Sequence, residues 1–256
     1  MKTKKIFTLL FFFIYIFCYS QDDKILVQYK SVRNNLENTE SIIAEKNQAL
    51  YVTDPLYIDN KENAKITKID EENNRIEVSQ KIISLDFTKY YLKQNSNILY
   101  YTRQFKNKES IVRDSLPTIK WDLSQTETKN IGGFICNKAT ANFRGSEIVA
   151  WYAVDIPISF GPWKFRDLPG LILELYNQEM TQIWRAEKVI YPYLESSDFQ
   201  VPAHLPMVTL REVVWEMEED IKEQIRRSNA KLPQGVRTTN SKINRTGIEK
   251  IYEWEK

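Results

Sequence analysis

Ile148-Val149-Ala150-Trp151-Tyr152-Ala153-Val154 is followed by Gly161-Pro162-Trp163-Lys164-Phe165-Arg166-Asp167-Leu168-Pro169-Gly170 and then by Leu171-Ile172-Leu173-Glu174-Leu175-Tyr176. Two apolar runs flank a turn dense in proline and glycine. The first run is apolar at nearly every position and reads as a strand covered on both faces. The turn combines residues of fixed and of permissive φ, so its shape is set before packing contributes. Outward from this core, Phe134 to Phe143 reads as a strand turned by Arg144-Gly145. On the other side, the polar Asn177 to Met180 leads into a strand from Thr181 to Tyr191. Strands joined by short polar turns pair antiparallel, because parallel pairs need long crossovers. The expected fold is mainly β (α+β): a curved antiparallel sheet or half-barrel with one packed amphipathic helix near the C-terminus.

The first half of the chain has no glycine before Gly132, so its turns must come from Asn, Asp and Pro. Candidate turns are Asn34-Asn35, Asp54-Pro55, Glu71 to Asn74 and Asn95 to Asn97. Between them, Ile25 to Val32, Ser41 to Val52 and Asn97 to Arg103 read as strands, and Lys65 to Ile69 with Arg75 to Ile83 as a hairpin. The helix starts at Thr209, with Glu212 three residues on as a capping box. Leu210, Val214, Met217, Ile221 and Ile225 form one apolar face, expected to pack on the sheet. From Asn229 the chain turns polar, with Ile248 to Trp254 positioned to dock back.

Residues 1–20 read as a secretory signal peptide. Lys2, Lys4 and Lys5 precede a short apolar stretch from Ile6 to Phe17, and Ser20 offers a small residue before cleavage at Gln21. A retained N-terminal anchor and a lipoprotein processed at Cys18 are the alternatives. Residues 21–228 are expected to form a single antiparallel β-rich domain, and 229–256 a polar, partly flexible tail. Three basic residues leave with the leader, so the remaining 33 Lys and Arg nearly balance 34 Asp and Glu. That balance argues against a nucleic-acid partner. No later segment is long and apolar enough for a transmembrane helix. Cys136 is then the one cysteine left, with no partner for a disulfide and no zinc spacing, and reads as a buried structural thiol.

The sequence offers little catalytic machinery. His204 is the only histidine and sits in a proline-bounded connector, so any Ser-His-Asp or Cys-His arrangement would have to use it. His204 with Met207 makes two soft copper ligands without a third. Of the carboxylates, only Asp155 and Glu174 stand in apolar surroundings. No phosphate-binding loop or nucleophile elbow occurs, and no cofactor is expected. Trp151, Tyr152, Trp163 and Phe165 are the candidate ligand-facing aromatics, set against the alternative that they fill the core.

Further motifs lie around the turn. Trp121, Leu123, Thr128-Lys129, Ile131-Gly132-Gly133-Phe134, Cys136 and Lys138-Ala139 precede it; Ala150-Trp151-Tyr152 and Ile156-Pro157-Ile158-Ser159 lead into Gly161-Pro162-Trp163-Lys164-Phe165. In this order the chain resembles the GLPGLI family of Bacteroidetes-type bacteria, whose naming hexapeptide falls at Asp167-Leu168-Pro169-Gly170-Leu171-Ile172. The resemblance implies an exported envelope or secreted protein, periplasmic or extracellular, with a mainly antiparallel sheet, and implies no activity. Its layout is similar to the half-barrels of periplasmic lipoprotein carriers. Asp167 stands where the family has Gly, which is tolerable for a turn at positive φ and disruptive where the backbone must be approached closely. The leading expectation is a non-enzymatic sheet protein that binds an apolar or peptide ligand or scaffolds an envelope complex. A carboxylate-based secreted hydrolase and copper handling through His204 are the alternatives.

Overall fold

A computed structural model describes residues 24–33, 36–53, 66–70, 75–78, 88–106, 108–230, 245 and 247–256. The proposed leader, and the part of the tail from 231 to 244, lie outside them. The described residues form mainly strand. The elements are β1 (Ile25–Arg33), β2 (Leu36–Ala44), β3 (Gln48–Thr53), β4 (Ile66–Asp70), β5 (Arg75–Val78), β6 (Thr88–Lys93), β7 (Ile98–Phe105), β8 (Lys108–Ser115), β9 (Thr128–Ile131), β10 (Phe134–Phe143), β11 (Ser146–Ala153), β12 (Leu171–Asn177), β13 (Gln182–Ile190), β14 (Met207–Thr209) and helix α1 (Leu210–Asn229).

Twelve of the strands make one open sheet in the order β14-β8-β7-β6-β3-β2-β1-β13-β12-β11-β10-β9, while β4 and β5 pair separately as a hairpin. Two antiparallel meanders, β1-β2-β3-β6-β7-β8 and β9 to β13, meet where β1 pairs with β13. The one parallel pair is β14 on β8, at the edge. The expected strand Ser41–Val52 is in fact two. The polar Glu45-Lys46-Asn47 folds into a hairpin turn, closed by the Glu45 amide donating to the Gln48 carbonyl at 2.9 Å. Strands β6, β8, β9 and β14 were not among the sequence expectations.

The sheet is strongly curved. Arg144, in the turn between β10 and β11, reaches Asp114 of β8 at 2.8 Å. Strands β8 and β11 are eight positions apart in the sheet. At about 4.8 Å per position a flat sheet would hold them roughly 38 Å apart. Only a sheet curled into a trough brings them together, and its edges stay unjoined.

Alternation sends Ile25, Val27 and Tyr29 of β1, Ile42 and Ala44 of β2, and Tyr51 of β3 into the trough, where all are buried. The opposite face is covered in part by the connector after β13, where Phe199 packs on Leu50 and Tyr91. Helix α1 starts with the expected capping box: Thr209 N donates to Glu212 Oε2 at 2.7 Å, and Glu212 N donates to Thr209 Oγ1 at 3.3 Å. Its first turns bury Leu210, Val213 and Val214 against Val112. The rest of the expected face departs from packing: Met217, Ile221 and Ile225 are 49%, 37% and 36% exposed. Beyond Val214 the helix is tied to the β7–β8 hairpin by ion pairs, Arg103 to Glu216 and Lys106 to Asp220, each 2.8 Å. Among the described residues no helix is long and apolar enough to cross a membrane.

Candidate functional site

The chain between β11 and β12 turns into the trough and fills it. Ile156, Ile158, Phe160, Phe165 and Leu168 are all buried. The loop is a short hairpin: Phe160 bridges Arg166, the Asp167 amide donates to the Ser159 carbonyl at 3.0 Å, and the Ile172 amide to the Phe160 carbonyl at 3.0 Å. Arg166 Nη1 donates to the Lys93 carbonyl at 2.9 Å, Trp121 Nε1 to the Arg166 carbonyl at 2.8 Å, and Tyr29 Oη to the Ile172 carbonyl at 2.7 Å. The plug is therefore pinned to the end of β6 and to the β8–β9 connection, and the start of β12 that follows it is held by β1.

Two glycines admit it. A Cβ on Gly170 would lie 2.2 Å from the Ala153 carbonyl oxygen, and one on Gly161 would lie 2.6 Å from Ile172 Cβ. Both positions require the absence of a side chain. Asp167 has φ +70° and Trp163 has φ +57°. Asp167 is exposed, so in this chain its position takes positive φ without close approach of another backbone. Asp tolerates that conformation at some strain. Asp167→Gly is expected to raise stability by up to about 1 kcal/mol, read as a higher urea midpoint at unchanged m-value; a lower midpoint would show that the Asp is held by something other than its backbone.

The four aromatics singled out by sequence separate. Phe165 is fully buried; it packs 5.1 Å from Phe143 and 6.5 Å from Trp184, measured between ring centroids. Trp163 is half-buried and stacks on Trp184 at 6.1 Å. Tyr152 is buried in the same core. Trp151 on β11 is half-buried against the same core, opposite Glu174 of β12 and Lys138 of β10. The Lys129 and Lys138 ammonium groups lie 5.5 and 6.0 Å from its ring centre. Its indole N–H is buried without a hydrogen-bond partner.

Buried charge forms three groups. In the first, Glu40 accepts from the Tyr51 hydroxyl, from Arg33 and, at 2.5 Å, from Trp184 Nε1. Burial raises its carboxyl above the usual range, against the pull of Arg33. In the second, Asp114 takes a two-pronged contact from Arg144 (2.8 and 3.1 Å) and one from Lys164 Nζ at 2.7 Å. Glu249 shares Lys164 Nζ at 2.7 Å and also meets Arg144. Burial pushes the Asp114 carboxyl up, and the two cations more than reverse this, holding it below its ordinary value. In the third, Glu174 accepts from Lys129 Nζ at 2.7 and 2.8 Å and from Arg185 Nε at 2.8 Å.

Sequence reading weighs Glu174 among the carboxylates, has Lys164 and Arg144 only as residues of their turns, and misses Glu40 and Asp114. The available signal was phase. Glu40 lies two residues before Ile42, and Asp114 two after Val112, so each shares the inward face of an apolar strand.

Asp155 is exposed in the turn after β11, His204 in the connector after β13, and Met207 at the start of β14. Among the described residues no group of three or more His, Cys, Asp or Glu side chains is placed to hold a metal ion. Cys136 is buried, and burial pushes its thiol up to about 11. A thiol-specific reagent at pH 8 is expected to label it only after denaturation; rapid labelling of the folded protein would contradict its placement.

Residues 143–174 match the family model described as a protein of unknown function, Porph_ging. The matched span runs from the end of β10 through β11 and the plug to Glu174, and holds Arg144, Gly161, Lys164, Phe165 and Gly170. No curated protein matches the chain. Among solved structures, the chain is similar to PNGF-II in its C2 crystal form (14% identity, TM-score 0.51, 75% of this chain and 32% of that one). The P21 form of PNGF-II gives 14% identity, TM-score 0.52 and 74% and 32% coverage. The chain thus spans about a third of the length of PNGF-II, and the likeness is one of fold.

Proposed function

We propose that the chain is an exported protein of the GLPGLI type that holds a peptide segment of an envelope partner against its sheet and performs no chemistry of its own. The observation that carries this reading is the surroundings of Trp151. Its half-buried ring lies beside two ammonium groups and carries an unpaired N–H. It sits two strands from β9, whose outer edge is paired with no strand among the described residues. An extended peptide adding to that edge would meet backbone donors and acceptors, with the aromatic face of Trp151 and its two lysines, already paired to Glu174 and Glu127, on the strands behind. The trough, by contrast, is occupied by the chain's own plug. The buried carboxylates support the same reading, since each is already held by cations or donors and none is left as a free acid or base.

Two measurements test the two halves of the reading. N-terminal sequencing of protein from cell fractions should give a chain beginning at Gln21 in the envelope or medium; a cytosolic chain still starting at Met1 would overturn export. Cross-linked capture from envelope extracts should yield a defined partner that is lost with Trp151→Ala and kept with Trp215→Ala, a change at an exposed tryptophan on α1. Equal capture by both variants would remove Trp151 from the interface.

A further inference from the structure

Residues 247–256 lie across the β10–β11 turn as a strap, and it is side chains that seat them. The strap's backbone meets the sheet at one place, where the amides of Lys250 and Ile251 donate to the Arg144 carbonyl (2.8 and 2.9 Å) and Ser146 Oγ donates to the Ile248 carbonyl (2.7 Å). Ile248 and Tyr252 are buried anchors. Between them Glu249 reaches inward to Lys164 and Arg144, and Glu253 meets Arg144 Nη2 at 3.0 Å. The strap contributes no strand to the sheet.

Part of the seat is built from groups outside the strap. Arg144 and Lys164 are anchored to Asp114 and are built on the β10–β11 turn and on the plug. With the strap withdrawn, two cations would face one carboxylate beside two vacant apolar seats. That is an acceptor for an apolar-acidic-x-x-aromatic-acidic segment, the order found in Ile248-Glu249-Lys250-Ile251-Tyr252-Glu253. Fourteen residues separate Ala230 from Arg245. Such a length of chain spans at most about 50 Å, enough to carry the strap out of its own seat and into a neighbour's.

We propose that this seat is a peptide-acceptor groove, occupied at rest by the chain's own C-terminal strap and open to exchange with the strap of a second copy. The exchanged contacts are the same as the resident ones, so concentration and the tether decide between them.

The test uses the full chain and a fluorescent synthetic peptide of residues 245–256. Glu249→Ala in the chain loosens the resident strap while leaving Arg144, Lys164 and Asp114 in place. The wild-type peptide is expected to bind this variant at least about tenfold more tightly than it binds the wild-type chain, because its internal competitor is weakened. A peptide carrying Glu249→Ala should bind neither. Glu253→Ala, at the outer contact of the strap, gives the same ordering in milder form and serves if Glu249→Ala misfolds. The wild-type chain should also form a concentration-dependent dimer that excess peptide returns to monomer. Peptides with and without the glutamate binding equally, a folded variant that binds neither, or a dimer untouched by peptide would each overturn the proposal.

Discussion

A chain carrying Gly170→Ala is expected to lose more than about 3 kcal/mol of stability, beyond the usual range for adding one methyl to a core. The added Cβ would sit 2.2 Å from the Ala153 carbonyl oxygen, 2.6 Å from its carbon and 3.0 Å from Val154 Cα. All three are backbone atoms of β11 and the turn after it, so no rotamer relieves the overlap. Either β11 moves or the plug lifts, and with the plug go Phe165 and Leu168, which fill the trough. Gly133→Ala is the control. Gly133 has φ +90° with nothing within 4 Å of an added Cβ, so its substitution costs only the left-handed backbone term, about 1–2 kcal/mol. Urea denaturation of the two variants separates close approach from backbone angle. A Gly170→Ala chain within 1 kcal/mol of wild type would mean that the plug does not rest against β11 as described.

The same contact explains why much of the fold is legible in the sequence and part of it is not. Strands β10 to β13 carry their own punctuation: Arg144-Gly145, the proline-glycine turn and Asn177 to Met180. Their apolar runs are long enough to read by period alone. The capping box at Thr209 likewise depends on residues three apart. What the sequence conceals is distance. Nothing local to Asp114 announces Arg144, thirty residues on, or Glu249 in the tail, because they meet only once the sheet has curled. The helix fails for a related reason. Its stripe has the right spacing as far as Ile225, but how much of a stripe is buried depends on where the neighbouring sheet edge stops, and β14 is only three residues long. At the candidate site, the composition of the plug told that Trp163 and Phe165 belong near one another, as they do at 5.9 Å. It could not tell that Trp151, twelve residues earlier, sets its ring beside Lys129 and Lys138; that follows from pairing register, which one strand alone does not encode.

Lys164→Met is the second large effect expected, a loss of about 3–5 kcal/mol at pH 7. Methionine keeps much of the volume and removes the charge. Asp114, fully buried, would then share Arg144 with Glu249, and one carboxylate in the interior would go uncompensated. Surface pairs such as Lys222 with Glu219 are worth far less, because water screens them and competes for both partners. The dependence on pH gives the effect a signature. Asp114 is held below its ordinary carboxyl value in the folded chain. Its contribution is therefore fully present above the unfolded value, near pH 4, and is lost as pH falls through the lower folded value. Lys164 is held above its ordinary value by Glu249 and Asp114, which outweigh the burial that opposes its charge. Its contribution is present at all pH below the unfolded lysine value, about 10.4, and is lost only as pH rises through the still higher folded one. Across the acid range, then, Asp114 titrates and Lys164 keeps its charge. The gap between wild type and Lys164→Met should be widest near neutrality and should narrow as pH falls toward the lowered folded value of Asp114, as protonation removes the charge the lysine was balancing. Because the pair is buried, added salt should change the gap little. A gap that widens on acidification, or that vanishes in high salt at pH 7, would place these charges in water and break the link between the plug, the edge of the trough and the strap.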